Sequence, residues 1–137
     1  MNRLTAAGFA GLLALCAPGI ALASESCVET WDSDLQPLVN SRCVACHQNA
    51  SPAGKLTLQR GGPPENLIGI QGEQTDMAYV TPGAPEESYL YRKLEGTHVD
   101  AGGTGERMPL GGALTDADLT VFREWILGCE DHPGEKG

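Results

Sequence analysis

The sequence predicts an all-α chain of few short helices joined by long Gly- and Pro-rich loops. Three observations lead there. Two segments, one near each end of the chain, carry apolar residues at helical spacing. Between them lie roughly sixty-five residues punctuated by Gly61-Gly62-Pro63-Pro64, Pro82-Gly83 and Gly102-Gly103, all turn signals. No segment alternates apolar and polar residues well enough to read as a strand, and no internal repeat is visible. Two or three short helices give a thin core, and small domains of that kind depend on a metal, a disulfide or a cofactor to fill the middle.

The chain of 137 residues opens with Met1-Asn2-Arg3 and an uncharged run to Leu15, broken by Pro18-Gly19 and followed by Ala21-Leu22-Ala23. A cationic start, a short apolar stretch and an A-x-A end describe a secretory signal, too short for a membrane span. Residues 1–23 are therefore read as a signal peptide cleaved after Ala23, and 24–137 as one domain. An uncleaved anchor is the rival reading. Lipoprotein processing at Cys16 is disfavoured by bulky Leu15 before it. No later segment is apolar enough to span a bilayer.

The first helix is expected over about 33–46. Ser33 stands as its cap with Gln36 three residues on, Pro37 falls early enough to be tolerated, and Leu35, Leu38 and Val39 form the buried stripe. A further turn or two is expected over 86–95, where Ser88, Leu90, Tyr91 and Leu94 follow a helical pattern. The last helix is the clearest. Thr115 caps it, Asp116 and Asp118 load its first turn, and Gly128 marks its end. Leu119, Phe122 and Ile126 line one face, widened by Val121 and Trp125.

The chain has 9 Lys and Arg against 18 Asp and Glu, and loss of Arg3 with the signal takes the formal charge from −9 to −10. Such a balance is hostile to nucleic acid and to anionic lipid, and suits a partner with a basic docking patch. Acidity for solubility alone explains it equally well.

Removing Cys16 with the signal leaves Cys27, Cys43, Cys46 and Cys129 to mature in an oxidising compartment. Two of them fall in "RCVACH", residues 42–47. Cys43-Val44-Ala45-Cys46-His47 matches the attachment pattern of c-type haem. Two cysteines three apart lie on one side of a helical turn, so their sulfurs reach the two vinyl groups along one haem edge. The next residue projects its imidazole at the iron, and small Val44 and Ala45 let the backbone lie close to the ring. A redox dithiol would need a βαβ setting, which is not visible. A zinc site would need two more close ligands, yet the next histidine is His98, 51 residues on.

The mature chain resembles a single-haem class I cytochrome c domain over nearly its whole length. The resemblance rests on the helix leading into "RCVACH", then "GKLTL", "VTPGAPEESYLYRKL", "RMPLGG" and "LTDADLTVFREWILGC", in that order. It implies a cytochrome c fold, with first and last helices crossing over one edge of a single covalent haem. It also implies the second axial ligand. Met108, 61 residues beyond His47 and followed by Pro109 and Gly111-Gly112, resembles the distal ligand loop of that family. Cys43, Cys46, His47 and Met108 are thus the cofactor-binding residues, with His47 and Met108 on the iron. His98, on the same loop, is the runner-up ligand, although a solvated loop position suits it better. Met77 reads as core filling, and His132 as an exposed tail residue.

The family fold brings Cys27 and Cys129 together at the ends of the terminal helices, and a disulfide between them is expected. The family pattern does not require it. His/Met ligation fills both axial positions, so the expected function is periplasmic one-electron transfer between redox proteins rather than catalysis. The alternative is a haem-based sensor that binds gas or another ligand by displacing Met108. A peroxidase role lacks a second haem motif and an obvious distal acid–base pair.

Overall fold

The computed structural model describes residues 27–129. The proposed signal over 1–23, with Cys16, and the tail carrying His132 lie outside the described residues. Among those described, the chain is helical with short helices and has no strand; the nearest approach to a sheet is two isolated bridges, Ile68 with Val80 and Gln71 with Ala78. No described helix is long and apolar enough to cross a membrane.

The first helical run is already under way at residue 27 and passes through a π-helical turn, Trp31–Leu35, into α1, Gln36–Arg42. It begins earlier than its Ser-x-x-Gln signature suggests. Ser33 lies inside the run, and its hydroxyl donates to Asp34 Oδ1 at 2.8 Å instead of capping. Pro37 has no N–H to give to the preceding turn, so the ladder is interrupted here, and the wide turn sits immediately before it. Trp31, Leu35 and Val39 are buried, with Leu38 packed at the edge. Gln36 is fully buried but satisfied. It accepts from Trp31 Nε1 at 2.8 Å and donates to the carbonyl of Leu58 at 3.1 Å.

The second helix, α2, covers Tyr89–Glu95 and follows a 3₁₀ turn, Pro85–Glu87. It stops at Gly96, whose φ of 93° is the left-handed conformation that closes many helices. The third, α3, covers Asp116–Gly128. Thr115 accepts from the Asp118 N–H while Asp118 accepts from the Thr115 N–H, a reciprocal capping box. Phe122, Trp125 and Ile126 are buried, whereas Val121, read as part of that face, is 37% exposed.

The two ends of the described chain meet. Trp31 and Trp125 pack edge to face with ring centroids 4.8 Å apart. Trp125 Nε1 donates to the Cys27 carbonyl at 3.0 Å, and Cys27 and Cys129 form a disulfide with Cα atoms 5.4 Å apart. Both cysteines are buried in the core. This end-to-end closure leaves the long loop between α1 and α2, and the loop between α2 and α3, to enclose the space on the other side of the helices.

Candidate functional site

The functional motif starts where α1 ends. Cys43 is the residue after the helix, and the chain keeps turning: Cys43 N–H and Val44 N–H donate to the Val39 carbonyl, while Cys46 N–H and His47 N–H donate to the Cys43 carbonyl at 3.1 and 3.0 Å. That continued turn carries Cys43, Cys46 and His47 to one cavity. The two cysteines are unpaired, Cys43 half-buried and Cys46 exposed. Burial pushes the Cys43 thiol up to about 11, against the opposing pull of Arg42.

The His47 ring is oriented by its neighbour loop. Its Nδ1 lies 3.0 Å from the Leu56 carbonyl oxygen. A carbonyl only accepts, so Nδ1 carries the hydrogen and Nε2 keeps its lone pair. The loop is folded back to make that contact by Ala53 N–H on the Cys46 carbonyl and Leu58 N–H on the His47 carbonyl, at 2.9 and 2.8 Å. Gly54 and Lys55 both take positive φ in this reversal, 60° and 58°. Glycine does so freely; Lys55 is strained there.

Met108 reaches the same cavity from the loop between α2 and α3. That loop is tied to α2 at several points. Met108 N–H donates to the Lys93 carbonyl at 3.0 Å, and Arg107 Nε to the Leu94 carbonyl at 2.8 Å. Lys93 Nζ donates to the carbonyls of Thr104 and Glu106, at 2.6 and 2.8 Å. Lys93 is only 8% exposed, and burial lowers its pKa, partly offset by Glu106. Beyond the cis Met108–Pro109 bond, Arg42 donates to the Gly112 carbonyl at 3.0 Å, linking this loop to the end of α1.

The cavity between these pieces has an empty volume of about 1170 Å³, its open mouth included. Cys43, Cys46, His47 and Met108 all line it, with Trp31, Val39, Leu56, Leu58, Leu90, Leu94 and Phe122 supplying apolar wall. The four cofactor-binding residues expected from the sequence are thus brought to one cavity.

His98 takes a different place from the solvated one expected. It is 3% exposed on a 3₁₀ turn, His98–Ala101, and its Nε2 donates to the Gly105 carbonyl at 2.8 Å. Its Nδ1 is buried without a partner, and the residue does not line the cavity. It braces the loop that carries Met108. Met77 is partly buried against the core, in keeping with a filling role. Lys93, Leu56, Gln74 and Tyr89 were not singled out from the sequence. A helical lysine is by default an exposed one, and a carbonyl partner nine residues away in an irregular loop leaves no pattern to read.

Among the described residues no three His, Cys, Asp or Glu side chains converge to hold a metal ion. Cys43, Cys46 and His47 are therefore not arranged as a common ligand set for a single ion such as zinc. Comparison of the chain with protein-family models, curated proteins and solved structures finds no match in any of the three.

Proposed function

We propose that this protein is a single-haem c-type cytochrome, exported to the periplasm, that carries one electron at a time between redox proteins. The observation that supports it most is the meeting of Cys43, Cys46, His47 and Met108 on one cavity whose walls are otherwise largely apolar. The residues fit the group. Cys43 and Cys46 would hold haem as thioethers, and His47, with Nδ1–H engaged by Leu56, has Nε2 free for the iron. Met108 would supply the sixth ligand. The order of these pieces and the closure of the terminal helices are in keeping with a cytochrome c fold.

When bound, the haem supplies a one-electron iron couple. The chain does the rest. The Leu56 carbonyl fixes the tautomer and rotation of His47 and strengthens it as a donor. Met108 offers a soft thioether that favours the reduced iron. The apolar walls exclude water. With His47 and Met108 both held to the iron, no position would be left for a substrate, which suits a carrier rather than an enzyme. The Cys27–Cys129 disulfide suits an oxidising compartment, and the acidic surface suits a redox partner with a basic docking patch.

Reduced and oxidised absorption spectra of protein purified from the periplasm test this reading. A low-spin c-type haem that titrates with one electron per chain is expected. Ready binding of carbon monoxide at modest concentration by the reduced protein would instead favour the ligand-binding sensor.

A further inference from the structure

The cavity has one cation that the reading above does not use. Lys93, on α2, lines the cavity and is nearly buried, yet its Nζ touches only two neutral acceptors, the carbonyls of Thr104 and Glu106. The ion pairs among the described residues involve Lys55, Arg60 and Arg123, and none reaches Lys93. The Glu106 carboxylate acts on this ammonium but makes no ion pair with it, and two carbonyls leave one of its three N–H donors over.

Its surroundings on the cavity wall are polar as well. The Tyr89 ring centroid is 6.0 Å from Lys93 Nζ, and the Tyr89 hydroxyl lies 3.2 Å from Gln74 Oε1. Arg42, the other cation on the wall, is exposed, so water balances its charge. The cavity wall is therefore largely apolar with one buried cation on it. That is the complement of an apolar plate with carboxylates along one edge.

We infer that Lys93 is the counter-charge for a haem propionate and raises the haem's reduction potential. The inference rests on the proposed haem site. Lys93 also ties the Met108 loop, so the test must separate charge from tethering. Holoprotein carrying Lys93→Gln is compared with wild type and with Lys93→Arg by potentiometry, while the absorption band of methionine sulfur on ferric iron is followed. With that band retained, Lys93→Gln is expected to shift the reduction equilibrium toward ferric by about tenfold, or about 59 mV. Removing one unit charge from a largely apolar cavity, at an effective dielectric of about 20, gives an effect of that order. Lys93→Arg should remain near wild type.

An unchanged potential in Lys93→Gln, or one that falls only together with loss of the methionine band, overturns the inference and leaves Lys93 a loop tie. Should Lys93→Gln fail to accumulate, NMR of the reduced wild-type protein decides. Overhauser contacts between the Lys93 side chain and propionate methylene protons are expected, and their absence overturns the assignment. A wild-type chain without haem overturns the functional reading itself, and is seen before any substitution is made.

Discussion

The Nδ1 of His47 and the carbonyl oxygen of Leu56 are 3.0 Å apart. This hydrogen bond holds the ring of a histidine beside two cysteines in one orientation. In the neutral ring it selects the tautomer with hydrogen on Nδ1, leaves Nε2 unprotonated, and restrains rotation of the ring. It also couples the motif to the loop that walls the cavity from below, because Leu56 and Leu58 line that cavity as well.

Replacing Met108 with Ala removes the proposed second ligand and leaves its loop tethered through Lys93 and Arg107. The variant is expected to keep its fold and its haem, to show a lower potential, and to become partly high-spin in the ferric state. Absorption spectroscopy and potentiometry check this. An unchanged spectrum and potential would mean that Met108 is not on the iron.

The disulfide acts chiefly on the unfolded chain. It spans 102 residues, for which loop closure alone sets an upper figure of about 4.7 kcal/mol. The proposed haem attachment at Cys43 and Cys46 would already restrict that ensemble and bring the gain below the full figure. Cys27→Ser with Cys129→Ser is expected to cost about 2 to 4 kcal/mol in denaturant unfolding, with the haem spectrum and potential nearly unchanged. Mass spectrometry of a non-reduced digest should find one peptide pair joined through these residues.

The Thr115–Asp118 capping box stands at the exposed start of α3 and lines no part of the cavity. Thr115→Ala is expected to destabilise the protein by about 1 kcal/mol. Equilibrium unfolding measures the loss, and the visible spectrum should not change.

What the sequence conveys best here is short-range chemistry. Thr115 with Asp118, and the turn that holds Cys43, Cys46 and His47, are local arrangements whose spacing carries their geometry. Ser33 misleads for the same reason: its Ser-x-x-Gln signature is sound locally, but the helix is already running, and packing of Trp31 against Trp125 holds it there. His98 reads as solvent-facing because it stands on a Gly-rich loop, and nothing in the pattern marks Lys93, since a helical lysine is by default exposed. Both are buried by a loop that folds back on α2, and a contact of that kind leaves no periodic trace in the chain. The meeting of Cys27 with Cys129 came from a family resemblance, not from spacing, and the structure places the two at bonding distance.

The proposed haem is fixed covalently through Cys43 and Cys46. Acid–acetone extraction followed by mass spectrometry of the tryptic peptide containing "CVACH" tests it most directly. The haem is expected to stay with the protein, and this peptide to carry its mass through both cysteines. A haem that extracts freely, or a peptide with two free thiols in mature periplasmic protein, would contradict it.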